Sequence, residues 1–129
     1  MRPRAIYSRV GVEADLGTLA QAKRATAAVL QALRDRLTPE EAGQAAAQLP
    51  RELKAMWRSG EKPGRRPLRL HRPQFYELVR LQADLESMKR AERVTDAVFA
   101  AIKDQISPGE ADDIVAQLPR DLKAVWVRA

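Results

Sequence analysis

The 129-residue chain has no cysteine and only one histidine, His71. The first absence removes disulfides, thiolate metal sites, iron–sulfur clusters and cysteine nucleophiles, and nothing points to an oxidising compartment. The second leaves no partner from which a nucleophile–base pair could be assembled. Long apolar runs are missing too. No window approaches the roughly 20 residues of a membrane span, and Met1-Arg2-Pro3-Arg4-Ala5-Ile6 is not followed by the apolar stretch of a secretory signal. A cytosolic protein without membrane association is the expectation. No glycine-rich phosphate loop of the G-x-x-x-x-G-K-[ST] or G-x-G-x-x-G kind occurs, so no cofactor is expected. Neither alternating strand patterns nor Asn-Gly or Asp-Gly hairpin turns are found.

Apolar residues nonetheless make up 45% of the chain and charged ones 31%, which is enough to bury a core and unlike the composition of disordered segments. The net charge of +6 is unevenly placed. Residues 7–57 hold 7 basic and 6 acidic groups, and residues 73–129 hold 8 and 10. Arg2 and Arg4 are basic, and the segment 58–72 sets Arg58, Lys62, Arg65, Arg66, Arg69 and Arg72 against Glu61 alone. The pattern is a near-neutral body carrying a basic strap.

The body is one unit written twice. Residues 7–60 align without a gap on residues 76–129, with 24 of 54 positions identical, and QLPRELKAMW at 48–57 returns as QLPRDLKAVW at 117–126. Gln48, Pro50, Arg51 and Trp57, with Gln117, Pro119, Arg120 and Trp126, are the marks of that repeat. A first repeat over 6–58, a Pro/Gly-containing basic linker over 59–73 and a second repeat over 74–129 together form one expected helical domain.

Within each repeat the apolar spacing is helical. Leu19, Ala22, Thr26, Val29, Leu30, Leu33 and Leu37 recur at steps of three and four, as do Met88, Ala91, Thr95, Val98, Phe99, Ile102 and Ile106. Thr18 with Gln21 forms a capping-box pattern; Ser87 keeps the cap, but Arg90 replaces the reciprocal partner. Thr38-Pro39-Glu40-Glu41 and Ser107-Pro108-Gly109-Glu110 open a third helix, and Pro50 and Pro119 are expected at the first position of a fourth. Ile6, Val10, Val12 and Leu16 match Phe75, Val79, Leu81 and Leu85 in a first helix. The expected fold is all-α, two four-helix repeats packed about an approximate two-fold axis, with the alanines of the first third helix facing the larger residues of the second.

AAVLQAL and DAVFAAI, TPEEA and SPGEA, the double AQLP and the linker's GEKP resemble the bacterial family catalogued as domain of unknown function 2267. The resemblance spans about Ile6 to Trp126. It implies an all-helical tandem protein with no established activity and supplies no catalytic residues; the linker here is richer in arginine than is usual in that family.

Candidate sites are few. Glu110, Asp112 and Asp113 lie early in a helix, where negative charge suits the dipole, and read as a solvated face and not a metal site. Asp35 and Asp104 sit unfavourably near helix C-termini and are expected to pair with Arg51 and Arg120. Trp57 and Trp126, four residues after Leu53 and Leu122, are expected in the core. His71 reads as part of a solvated linker. No catalytic, cofactor or metal residues are assigned, and no enzyme is expected. The leading functional expectation is a protein-interaction module of unidentified partner, or one that self-associates, with Ala45-Ala46-Ala47 as a close-contact face. The alternative is weak, non-specific nucleic-acid or ribosome association through Arg58, Lys62, Arg65, Arg66, Arg69 and Arg72, with Arg2 and Arg4.

Overall fold

A computed structural model describes residues 2–129, and among these there are eight helices and no strand. The first half holds α1 (Pro3–Glu13), α2 (Leu19–Arg36), α3 (Pro39–Gln48) and α4 (Arg51–Arg58). The second holds α5 (Arg72–Gln82), α6 (Met88–Gln105), α7 (Pro108–Ala116) and α8 (Arg120–Arg128). The linker therefore stops at His71: Arg72 and Pro73 open α5, because a proline's missing N–H costs nothing in a first helical turn.

Each boundary has a local cause. Thr18 caps α2 in a full capping box with Gln21, whereas Ser87 caps α6 alone. Arg90 turns instead to Glu86, at 3.1 Å, and to Asp15 of the other half, at 3.6 Å. Between the first two helices of each half, Asp15 and Asp84 take left-handed backbone, φ 55° and 54°. Around them Leu16 N–H donates to Gly11 C=O and Leu85 N–H to Arg80 C=O, the six-to-one bond of a Schellman ending. Pro50 and Pro119 stand one place earlier than the spacing suggests. Both are extended N-cap residues, and their carbonyls accept the N–H groups of Lys54 and Lys123.

The apolar faces meet in one buried cluster drawn from both halves. Within a half, α1 packs on α2 and α5 on α6; between halves α1 packs on α6, α2 on α5 and α6, and α3 on α7. Ala42, Ala45 and Ala46 are buried on α3, as is Ile114 on the facing α7. The two halves fill equivalent space differently. Phe75, Phe99 and Trp126 form a run of ring contacts, with centroids 5.6 and 5.2 Å apart, where the first half has Ile6, Leu30 and Trp57. Four positions expected in the core are exposed: Val12 and its counterpart Leu81, and Leu19 with its counterpart Met88. They lie beside the turns at the ends of the first helices, where no further helix is laid over them.

The repeated phrase has a role that only the assembled halves disclose. Gln48 Oε1 accepts the N–H of Ser107 at 2.7 Å, and Gln117 Oε1 accepts the N–H of Thr38 at 2.9 Å. Each glutamine at the end of a third helix thus satisfies the N-cap residue of the opposite third helix. A hydrogen bond of this kind contributes a net of roughly 0.5–1.5 kcal/mol.

Candidate functional site

The strap follows the C-terminal end of α2. Leu68 N–H donates to Asp35 C=O at 2.8 Å, and at the far end Arg72 N–H donates to Asp121 Oδ2 at 2.9 Å. Gly60 and Gly64, at φ 76° and 69°, supply backbone that other residues reach only at a cost. Arg65 departs from its expected role. Its guanidinium donates to the carbonyls of Leu37 and Arg34, at 2.7 and 2.8 Å, and pairs with Glu61 at 3.1 Å. It closes the end of α2, whose last carbonyls need donors, and so is not available to a phosphate. Arg58, Lys62, Arg66, Arg69 and Arg72 remain exposed, as do Arg2 and Arg4. Among the described residues, none of these seven forms an ion pair. His71 is mostly exposed, with Nδ1 3.7 Å from Asp121 Oδ1.

Arg34 is the buried cation of the first half, and sequence reasoning missed it. Its guanidinium donates to the carbonyls of Trp57, at 2.8 Å, and Ser59, and pairs with Asp35 at 2.9 Å. At the equivalent place Lys103 Nζ donates to the carbonyls of Trp126 and Ala129, both at 2.9 Å. In each half a cation on the long helix therefore meets the negative end of the fourth. Asp35 consequently pairs with its neighbour Arg34 and not with Arg51, and Asp104 pairs with Arg9 at 3.6 Å and not with Arg120. Arg51 and Arg120 are exposed. The signal for Arg34 was present: a cation kept as Arg or Lys at one repeat position, one helix turn from the end of an otherwise apolar face.

Both tryptophans are buried, and Trp57 Nε1 donates to Ala42 C=O at 3.0 Å. Neither is an exposed stacking platform.

The acidic residues hold the larger surprise. Glu41 and Glu110 occupy the same position of the two repeats, the third residue of α3 and of α7, and both are buried, 5% and 6% exposed. Together with Asp113 they bring three carboxylate oxygens within 4.8 Å of one another. Glu110 is thus not part of a solvated face, although Asp112 and Asp113 are exposed. Burial is the main cause that pushes the Glu41 carboxyl up to about 8, followed by its hydrogen bond with Glu110 and the negative charges of Glu110 and Asp113. Two carboxylates this close in a poorly hydrated place do not both ionise readily, and a shared proton relieves them. The same three groups are of the kind that ligates a cation through oxygen; Glu41 and Glu110 lie in the first turns of their helices, whose positive ends act against burial by favouring the charged carboxylate. Two repeat-equivalent glutamates can meet only when the halves pack α3 against α7. Taken singly, each is an ordinary first-turn acid.

Between α1 and α2 of the first half lies a groove of about 580 Å³, with Tyr7, Gly11, Val12, Leu16, Leu19 and Ala22 in its lining. The second half has Arg80 where the first has Gly11, and Arg80 pairs there with Glu77 at 2.6 Å. No helix among the described residues is long and apolar enough to cross a membrane.

The family described as uncharacterized conserved protein (DUF2267) matches residues 4–125, almost the whole of this helical body. The chain belongs to that family. No curated protein matches it. Both the paired DUF2267 halves and the strap between them fall within the matched span, so the Glu41–Glu110 contact and the basic segment are parts of the DUF2267 region and not appendages to it.

Proposed function

We propose that the protein is a non-enzymatic helical scaffold that associates with phosphate polymers, nucleic acid above all, through its basic strap. The observation that carries this reading is the set of strap cations, Arg58, Lys62, Arg66, Arg69 and Arg72, exposed and without acidic partners. The expected protein-interaction role ranked ahead of this on the strength of an alanine face. That support is weaker than it looked, because Ala45 and Ala46 are buried and only Ala47 is exposed. Cations held along one segment neutralise phosphates and release counterions, which gives affinity without sequence preference. Among the described residues no reader helix and no exposed aromatic platform accompanies them.

Binding to a mixed oligonucleotide, followed by fluorescence anisotropy, should weaken roughly 100- to 1,000-fold between about 50 and 200 mM salt for about five phosphate contacts. Replacing Arg58, Arg66, Arg69 and Arg72 with glutamine should remove it. Arg65 is left intact in that variant because it holds the end of α2. An absence of binding at the lower salt refutes the reading.

A second reading, self-association, is favoured by the exposed Val12–Leu81 and Leu19–Met88 pairs, which stand at equivalent repeat positions. Here the occupant of the first-half groove would be a second copy of the chain. Light scattering should then give a mass that rises with concentration, and Val12→Glu with Leu81→Glu should return it to that of one chain. A parent protein that is monomeric at high concentration removes this reading.

A further inference from the structure

Where the strap passes the end of α2, Arg69 and His71 come down beside Arg36, the last residue of that helix. With Leu70 and Pro119 they line a pocket of about 230 Å³. Three of its five lining side chains carry basic nitrogens and none is a carboxylate. Arg36 Nε is buried there without an acceptor. Neither Arg36 nor Arg69 forms an ion pair or a side-chain hydrogen bond among the described residues, in contrast to Arg34 and Arg65, two and four residues before them, whose guanidinium groups are fully engaged. Asp121 lies close by: Oδ1 is 3.7 Å from His71 Nδ1, and Oδ2 accepts the N–H of Arg72 at 2.9 Å. Only Oδ2 is engaged, at the end of the strap, and Asp121 does not line the pocket.

A guanidinium N–H that is buried and unpaired is among the costlier groups to leave without an acceptor. Nε itself is closed to solvent, but Arg36 as a whole is only half-buried, and an oxyanion in the pocket would meet the accessible part of the same guanidinium. Two guanidinium groups suit a tetrahedral one, since each presents paired N–H donors in a fixed fork. Leu70 and Pro119 keep part of the wall apolar, which strengthens charge interactions within it. At the place equivalent to Arg36 the second repeat has Gln105, so this cation is not repeated in the second half.

We propose that this pocket is a phosphate-binding site, in which Arg36 and Arg69 hold the phosphate oxygens and His71 supplies a further polar contact. The proposal rests on the electrostatic reading and deepens it, by giving one phosphate group a fixed seat. The phosphate could be a free ion or belong to a nucleic-acid backbone.

The test follows melting of the full chain against inorganic phosphate, with sodium chloride at matched ionic strength as reference. The expected result is a saturable rise in Tm of about 3 °C or more beyond the chloride control. Arg36→Gln and Arg69→Gln should each lower the apparent affinity at least about tenfold, and Arg66→Gln, an equal loss of charge outside the pocket, less than about twofold. Should Arg36→Gln fail to fold, Arg69→Gln carries the comparison, since Arg69 is exposed on the strap. An oligonucleotide that displaces phosphate assigns the site to backbone phosphate; one that leaves the phosphate isotherm unchanged assigns it to the free ion. No rise beyond chloride, or an Arg66→Gln loss equal to that of Arg69→Gln, overturns the pocket. Oligonucleotide binding that persists in that event leaves the electrostatic reading standing. Phosphate binding without any oligonucleotide binding does the reverse.

Discussion

Trp57→Ala is expected to lower the free energy of unfolding by about 3–5 kcal/mol, the range for removing a large buried aromatic side chain. The ring is fully buried, and its indole N–H donates to Ala42 C=O, so the substitution both opens a cavity under α3 and leaves that contact unmade. Domains of this size are stable by only about 5–15 kcal/mol, so the variant sits near the edge of folding. Trp57→Phe separates the two effects. It keeps most of the ring volume, gives up the indole donor, and should cost only about 1–2 kcal/mol. Urea denaturation followed by far-ultraviolet circular dichroism checks both, and a Trp57→Ala midpoint close to that of the parent would show that the ring is not a structural element of the core. Trp126→Ala acts at the equivalent corner by uncovering Phe99, 5.2 Å from it.

The second large effect is on pH. Stability should fall as pH rises from about 5 to about 8, and Glu41→Gln should abolish most of that fall. The folded protein holds a proton on Glu41 up to about 8, whereas an unfolded chain releases it at the ordinary carboxyl value of 4.5. Between those values the folded state binds the extra proton, so stability decreases with rising pH; the contribution is complete below 4.5 and gone above about 8. Burial is the largest cause, and Glu110 and Asp113 of α7, across from α3, add to it. A neutral amide can donate to Glu110 at any pH, so Glu41→Gln should exceed the parent by roughly 2 kcal/mol at alkaline pH and match it in mild acid. Melting temperatures across that range decide the matter. A variant less stable than the parent at pH 8.5 would mean that the pair is not sharing a proton.

Much of the fold was legible because its signals are local. The caps at Thr18, Ser87, Thr38 and Ser107, and the three-and-four spacing of α2 and α6, each follow from a few neighbouring residues. The errors share one cause. Val12, Leu81, Leu19 and Met88 carry apolar side chains at plausible spacing, and whether another helix covers them is decided elsewhere in the chain. Arg65 looked like one strap cation among six until its distance to the carbonyls of α2 was known, and Arg51 and Arg120 were assigned partners that other cations already held.

The sequence by itself determined that the chain is a duplicated set of helices with a basic segment between the copies, because periodicity, caps and charge are properties of short stretches. Only the tertiary structure decided what the duplication does. Packing α3 against α7 brings Glu41 onto Glu110 and exchanges the Gln48 and Gln117 caps between halves; laying the strap over the end of α2 retires Arg65 and gathers Arg69 and His71 around Arg36. Those relations join residues 28 to 79 positions apart, beyond the reach of any local pattern, and they arise because the apolar faces of both halves are buried in one shared core.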